Sequence, residues 1–163
     1  MEFERVRDRD DVEYLAETTT DEDGTWAYFA GIDGLVAVGV TNDDGAVLLM
    51  ESAHGWRLPY GPVEEGEDPL AVARRIAGTL TGVEVEDADF ERVTEFTREH
   101  ATTGETTTSF DAVVRVAPVA GEPTAGNPDF EPWEDLVVGW FAEVPDEAYH
   151  EHGSAVSDVE RFL

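Results

Sequence analysis

Cysteine and lysine are both absent from the 163-residue sequence. Without cysteine, the chain has no disulfide, no thiolate metal site and no cysteine nucleophile. Without lysine, it has no Gly-Lys-Ser/Thr phosphate-binding loop, and its glycines form no dinucleotide fingerprint. No serine lies in a Gly-x-Ser-x-Gly setting, so the sequence does not support a serine hydrolase. These absences remove several common classes of enzyme.

Long apolar runs are also missing. No segment approaches the ~18 consecutive apolar residues of a membrane-spanning helix, and the N-terminal run MEFERVRDRDD has no apolar signal core. The length suits one domain, and 41% hydrophobic residues is typical of a globular chain. We therefore expect a cytoplasmic protein with no membrane partner.

Positive charge is scarce, because 10 basic residues face 38 acidic ones and the formal net charge is -28. The acids are spread along the chain, which favours a solvated halophilic surface over an acidic patch for a cationic partner. In multimolar salt, screening over ~3 Å at 1 M removes the self-repulsion of such an acidic protein. We expect a high-salt cytosol and no direct nucleic-acid binding, which needs a basic surface.

Residues 56–83 are the most informative stretch, WRLPYGPVEEGEDPLAVARRIAGTLTGV. Turn-forming residues open it, an acidic loop follows at residues 64–67, and a helix is predicted to begin near Asp68 and to end by Gly82. Gly61, Glu67, Arg75 and Gly82 are separated by five, seven and six residues.

This spacing resembles the Nudix box, and the lead-in Trp-Arg-Leu-Pro-Tyr-Gly at residues 56–61 is similar to the Trp-x-Leu-Pro-Gly-Gly run of that family. The resemblance is to the Nudix hydrolase (MutT-like) family. It implies an α/β fold, the Nudix-type α/β/α sandwich with a mixed, mostly antiparallel sheet. The box helix is then expected on one face of the sheet and a C-terminal helix on the other.

Three glutamates of the family's box helix are replaced here by Ile76, Thr79 and Leu80. These positions stand at i, i+3 and i+4 and share one helix face. Three carboxylates there would suit Mg²⁺ or Mn²⁺, which bridges to a substrate diphosphate. Two aliphatic side chains and one neutral hydroxyl cannot replace them. The box is therefore interpreted as degenerate, and no catalytic residue is assigned.

The scaffold part of the box is retained. The resemblance implies that Glu67 and Arg75 pair to orient the helix against the loop, and Glu64 matches a loop acid that is frequent in the family. A solvated turn is the alternative interpretation of these acids, since without a cation they repel phosphate. If the protein is active, Glu64, Glu67 and Glu131 are the candidate ligands of Mg²⁺ or Mn²⁺; otherwise no cofactor is expected.

Aromatic residues near the box are candidates for ligand binding, with Glu64 beside them. Tyr60 replaces a glycine of the family's run and places a ring where the backbone normally approaches phosphate. Trp56 could stack on a base, with core packing as the alternative. His150 and His152 could chelate a metal in an extended segment, but a surface loop is the preferred interpretation.

The remaining patterns predict the order of elements. Residues 1–33 form an N-terminal extension with a short helix and a short strand, and residues 34–163 form the Nudix-like domain. The predicted elements are a helix at 11–17, strands at 25–31, 34–41, 46–51, 90–98, 106–116 and 133–144, a loop at 117–132 and a closing helix at 154–163.

Two functions remain open at this point. The first is a non-hydrolytic domain that binds a nucleotide-like ligand or a protein partner. The second is an active Mg²⁺- or Mn²⁺-dependent hydrolase that cleaves nucleoside diphosphates linked to another moiety. Because dimers are common among Nudix proteins, a homodimer is the oligomer that the resemblance implies.

Overall fold

The computed structural model describes residues 9–52, 55–81, 85, 87–116, 138–145 and 155–163. In this part of the chain the elements are β1 (Glu13–Asp21), α1 (Asp23–Ala30), β2 (Ile32–Gly39), β3 (Val47–Ser52), β4 (Gly55–Arg57), β5 (Tyr60–Glu64), α2 (Pro69–Thr81), β6 (Ala88–His100), β7 (Thr106–Val116), β8 (Val138–Phe141) and α3 (Ala155–Glu160).

The described strands form two sheets. The larger has the order β1-β6-β7-β2-β5, in which β1 is parallel to β6 and β2 is parallel to β7, while β6–β7 and β2–β5 are antiparallel. The smaller sheet, β4-β3-β8, is antiparallel throughout. The predicted α/β fold with a mixed, mostly antiparallel sheet is confirmed.

Different helices cover the two faces of the larger sheet. Successive side chains of a strand point to opposite sides, so the contacts of β2 show which helix covers which face. Val36 and Val38 belong to the apolar cluster that contains the buried side of α2. Ala37 packs instead with Val159 and Phe162 at the C-terminal end of the chain. Helices α2 and α3 therefore cover opposite faces, as the sandwich requires.

Gly39 shows why the C-terminal segment can lie so close to the sheet. A Cβ atom at this position would collide with the Phe162 ring. Glycine at position 39 thus lets a large aromatic side chain pack directly on the strand backbone.

A turn at residues 42–45 joins the strands predicted at 34–41 and 46–51. The Asn42 Oδ1 atom accepts hydrogen bonds from the backbone N–H groups of Asp44 and Ala46, both at 3.0 Å, and Gly45 has a φ of 81°. Strands β2 and β3 then diverge into different sheets, because each finds its main partners elsewhere.

Two predictions in the N-terminal extension are wrong. The helix predicted at residues 11–17 is strand β1, which pairs in parallel with β6 from Glu13↔Arg92 to Asp21↔His100. The strand predicted at residues 25–31 is helix α1, which packs against β7, β2 and β6. Pairing with a distant strand outweighed the local helical pattern, and three threonines, which have a high strand propensity, continue β1. The division of the chain at residue 33 stays a prediction.

Most other elements match their predictions. Helix α2 and the two strands β6 and β7 are confirmed, and α3 is a shorter form of the predicted closing helix. The turn-forming residues 58–62 are partly strand, since β5 begins at Tyr60 and pairs with β2. Strand β8 is the described part of the strand predicted at 133–144, and the loop 117–132 lies outside the described residues. No helix among the described residues is long and apolar enough to cross a membrane.

Candidate functional site

The box face of α2 is part of the apolar core. Ile76 is 1% exposed and Leu80 is 2% exposed, and both pack among buried side chains of the larger sheet. Thr79 is half-buried, and its hydroxyl donates to the Arg75 carbonyl at 2.7 Å. This face therefore presents packing atoms where the box pattern has carboxylates.

The acidic loop before α2 is braced by Glu67. Its Oε1 atom accepts from the Glu64 backbone N–H at 2.9 Å, and its Oε2 atom lies 3.5 Å from the Arg75 Nη1 atom. The Glu67–Arg75 pairing implied by the resemblance is therefore present. Gly66 has a φ of 84°, and its N–H donates to Asp33 at 3.1 Å. Both oxygens of the Glu67 carboxylate thus hold the loop against the helix and the sheet.

The other predicted site residues are distributed between strand, core and undescribed segments. Gly61 is a buried residue of β5 opposite Val36. Trp56 is half-buried, and its ring lies 4.7 Å from that of Phe141, centroid to centroid, in the second apolar cluster. Core packing therefore accounts for Trp56. Glu64 is exposed at the end of β5, while Gly82, Glu131 and the two histidines 150 and 152 lie outside the described residues.

Tyr60 borders a cleft on the sheet face opposite α2, with the Arg57 guanidinium 4.2 Å from its ring centroid. The cleft has a smaller compartment of about 60 Å³ and a larger one of about 390 Å³. Leu35, Arg92 and Asp111 line both compartments. We call this two-compartment space the sheet cleft.

Guanidinium groups are concentrated in the sheet cleft. Arg57 lines the smaller compartment, Arg98 the larger and Arg92 both, although the whole chain has only 10 basic residues. The Arg92 Nη2 atom lies 2.7 Å from Asp158, and the Arg98 Nη1 atom lies 2.9 Å from Asp21. Burying so many charges is costly unless they are paired, and these ion pairs offset part of that cost.

Asp111 lies between these arginines. Burial raises the pKa of its carboxyl to about 6, while Arg98, Arg92 and Arg57 oppose the rise and Asp158 adds to it. A carboxyl with a pKa near 6 in a cleft is a feature of functional sites, although structural ion pairs also shift pKa values.

Among the described residues, the buried polar atoms of the sheet cleft that have no hydrogen bond include the Arg92 Nε atom and the Asp111 Oδ1 atom. The Asp158 Oδ1 atom is another, although it lies 2.7 Å from the Arg92 Nη2 atom in an ion pair. Buried donors and acceptors in folded proteins are nearly always hydrogen-bonded, so such atoms need an explanation. The Arg92 and Asp111 atoms are a donor and an acceptor that line the same space.

Sequence reasoning missed the arginines and aspartates of the sheet cleft. A signal existed, because Arg92, Thr94, Phe96 and Arg98 alternate along one strand and Asp111 interrupts an apolar run in another. The alternation places one row of side chains on a single face. Only the pairing of Thr94 with Asp111 shows that these two rows meet.

A family model for the NUDIX domain matches residues 33–156. The chain belongs to the Nudix family. Among solved structures, the Escherichia coli dihydroneopterin triphosphate pyrophosphohydrolase is similar, with a TM-score of 0.56 and 18% identity over 80% of this chain and 94% of that one.

Two further structures are similar at lower scores. A MutT from a study of Aliivibrio salmonicida and Vibrio cholerae has a TM-score of 0.49 and 17% identity, over 79% of this chain and 98% of that one. A Bacillus subtilis pyrophosphohydrolase has a TM-score of 0.49 and 19% identity, over 72% of this chain and 68% of that one. A search of curated proteins found no match in sequence.

Nudix proteins bind nucleotide-like substrates, and Nudix hydrolases generally use divalent metal ions. The box helix of this chain does not fit such an ion, since Ile76 and Leu80 are buried hydrocarbon and the Thr79 hydroxyl is bonded to its own helix. Within the described ranges, no group of three or more histidine, aspartate or glutamate side chains is placed to hold a metal.

Proposed function

We propose that this chain is a Nudix domain that binds a nucleotide-like ligand without hydrolysing it. The burial of Ile76 and Leu80 in the apolar core carries this proposal. Metal-assisted phosphoryl chemistry needs hard oxygen ligands that fix the ion and neutralise the developing charge. The box face has only one oxygen-bearing side chain, that of Thr79, and its hydroxyl is bonded within the helix.

Helix α2 cannot easily rotate to turn this face away from the core. Ile76 and Leu80 share it with Val72, Ala73 and Ala77, all buried. Rotating α2 to present another face would expose this apolar stripe to water and bury polar side chains. The present orientation is therefore the stable one.

The retained acids of the box have structural contacts. Glu67 braces the loop through both carboxylate oxygens, to Glu64 and to Arg75. Glu64 is exposed and supplies a single carboxylate. Mg²⁺ takes one or two carboxylates together with substrate phosphates, so Glu64 alone supplies no more than the minimum. These contacts support a scaffold role for the retained part of the box.

The sheet cleft supports a small-molecule ligand over a protein partner. Its larger compartment, about 390 Å³, is within the usual size range of ligand pockets. Its lining has four aromatic or aliphatic side chains and six polar ones, four of which are charged, so it can both pack against a ligand and form hydrogen bonds with it. A concave site of this kind suits a nucleotide-like molecule.

Metal-dependent hydrolysis is the test of this proposal. A panel of nucleoside diphosphates linked to another moiety is incubated in multimolar KCl with Mg²⁺ or Mn²⁺, and a chelator serves as the control. We expect no turnover above the chelator background from protein shown by circular dichroism to be folded.

A Glu67→Gln variant and an active Nudix hydrolase are run alongside. The active enzyme shows that the assay works in the chosen salt. Turnover that requires metal and collapses in Glu67→Gln would overturn the proposal, because the remaining acids of the box would then support chemistry.

A further inference from the structure

The N-terminal extension forms one wall of the sheet cleft. Leu15, Glu17 and Thr19 of β1 and Phe29 of α1 line its larger compartment. All four residues precede residue 33, where the NUDIX match begins. The parallel pairing with β6 places the β1 residues opposite Thr94, Phe96 and Arg98 of the cleft floor. The extension therefore completes a cavity that the matched domain only begins.

This wall is fixed in place by contacts around Arg98. Its guanidinium lies 3.5 Å from the Phe29 ring centroid, and its Nε atom donates to the Ser109 hydroxyl at 2.7 Å. The Trp26 indole donates to the Arg98 carbonyl at 3.3 Å. Because α1 is held at two points, Phe29 is positioned before any ligand arrives, and a preorganised site loses less entropy on binding.

The charges that line the sheet cleft balance in number. Three carboxyl groups accompany the three guanidinium groups, so the cleft has no excess of positive charge; they belong to Glu17, Asp111 and Asp158. A phosphate group needs surplus donors and positive charge. The cleft thus suits an uncharged part of a ligand that forms hydrogen bonds.

Two of the buried atoms that have no hydrogen bond define the hydrogen bonds that a ligand can form here. The Arg92 Nε–H is a donor, and the Asp111 Oδ1 atom is an acceptor, both buried and both lining the two compartments. They complement a ligand edge that has an acceptor beside a donor. Such an edge is a ring carbonyl next to a ring N–H, as in the lactam of hypoxanthine, guanine or uracil.

We propose that the sheet cleft binds the heterocyclic part of a nucleotide-like ligand and selects a ring with a carbonyl beside an N–H. This inference rests on the proposed function and names its ligand class. The Arg92 Nε–H donates to the carbonyl, and Asp111 accepts from the N–H. Phe29 and Phe96 offer aromatic surface to the ring, and the phosphates lie outside the cleft.

Methylating the ring N–H is the sharpest change to the ligand. A buried acceptor left unpaired costs far more than an exposed one, so 1-methylinosine is expected to bind at least ~10-fold more weakly than inosine. Calorimetric titration in multimolar KCl with a chelator measures the binding of both nucleosides and of inorganic phosphate to the protein. We expect inosine, guanosine and uridine to bind and phosphate not to bind.

Substitutions in the protein test the same contacts. Asp111→Leu is expected to weaken inosine binding ~10-fold or more and to abolish the preference over 1-methylinosine, while Asp111→Asn, which keeps a carbonyl oxygen, retains part of both. Asp44→Leu, in an exposed turn, is the matched control and leaves binding unchanged. Arg92→Gln is expected to weaken inosine binding independently of Asp111, and Arg74→Gln on α2 is its control.

The extension is tested by Phe29→Ala against Tyr28→Ala, its exposed neighbour on α1. We expect only Phe29→Ala to weaken nucleoside binding. Equal binding of inosine and 1-methylinosine, tighter binding of phosphate than of nucleoside, or no nucleoside binding by folded protein would each overturn the inference.

The inference and the proposed function can fail separately. Each titrated sample is also checked by chromatography for cleavage of a nucleoside diphosphate conjugate with Mg²⁺ present. Cleavage combined with lactam selectivity would overturn the proposed function and leave the inference in place. No cleavage and no nucleoside binding would overturn the inference alone.

Discussion

At the level of single residues, Asp111 is a largely buried carboxyl group that β7 carries into the sheet cleft. Burial raises its pKa to about 6, against opposing contributions from Arg98, Arg92 and Arg57, and Asp158 adds to the rise. Glu17 of β1 lines the same cleft. Because the pKa in the folded state is above that in the unfolded state, the folded protein keeps a proton that the unfolded chain releases between about pH 4 and 6. The stabilising contribution of this group is present below pH 4 and is lost as the pH rises through 6.

Asp111→Asn should remove this pH dependence. We expect the variant to gain stability relative to the parent as the pH rises from 4 to 7, by about 3 kcal/mol in the free energy of unfolding. Denaturant unfolding of both proteins at constant KCl measures this difference. Asp44→Asn, in an exposed turn, is the control and should show no trend. A difference between Asp111→Asn and the parent that does not change with pH would contradict the assignment.

The Arg98–Asp21 ion pair is buried, with side chains 8% and 9% exposed. Arg98→Gln should lower the free energy of unfolding by roughly 3–5 kcal/mol, because it leaves Asp21 charged and unpaired in the interior. Arg75→Gln breaks the pair with Glu67, where the arginine is 55% exposed, and should cost about 1 kcal/mol or less. The same denaturant experiment compares them, and similar losses for the two variants would show that the Arg98 pair is not buried in solution.

At the level of elements, α2 is a core helix whose box face can be tested by restoring the family's glutamates one at a time. Ile76→Glu should destabilise the protein by about 4 kcal/mol or more, since it removes a buried side chain and places a carboxylate in apolar surroundings. Thr79→Glu, on the half-buried part of the helix, should change stability by about 1 kcal/mol or less. Thermal unfolding with and without Mg²⁺ measures both. A stable Ile76→Glu variant whose melting temperature rises with Mg²⁺ would mean that this face opens to solvent.

Elements with strong local signals could be predicted from the sequence. Helix α2 has a defined start at Asp68, whose side chain accepts from the Leu70 N–H at 3.0 Å, and the turn at 42–45 has the residues that such turns require. The two elements of the extension could not be predicted, because their signals are weak. Helix α1 buries none of its residues, and β1 is an edge strand defined by a partner about 80 residues away.

The candidate site was harder to predict than the fold. Tyr60 became a candidate because it departs from the family's run, and it borders the sheet cleft, while its role in ligand binding stays a prediction. Arg92 and Asp111 belong to different strands, and only the pairing of β6 with β7 brings them together. No spacing along the chain could show that, because a shift of one residue in pairing would turn either side chain to the other face.

At the level of the whole molecule, a net charge of -28 destabilises the folded state through self-repulsion unless salt screens it. We expect the melting temperature to rise as KCl increases from about 0.1 M, where screening extends over ~10 Å, to above 1 M, where it extends over ~3 Å. Circular dichroism at several KCl concentrations measures this, with sucrose at matched osmolality as the control for excluded solutes. A melting temperature that does not depend on KCl would contradict the halophilic interpretation.

Light scattering in the same buffers tests the predicted homodimer.

The distribution of the arginines is also a property of the whole molecule. Each of the 10 basic residues offsets part of the repulsion among the 38 acids. Three of the ten nevertheless line the sheet cleft, at positions 57, 92 and 98. In our proposal the surface charge suits a solvent of high salt, and the arginines of the sheet cleft serve ligand binding.

The most direct test of the account is one nuclear magnetic resonance experiment on a guanosine diphosphate sugar mixed with the protein, Mg²⁺ and multimolar KCl. The ³¹P spectrum reports cleavage of the diphosphate, and the ¹H resonances of the base report binding in the same tube. We predict shifted and broadened base resonances with a ³¹P spectrum that stays unchanged for hours. New ³¹P resonances that appear only with protein and Mg²⁺ would contradict the proposed function, because the box would then support catalysis.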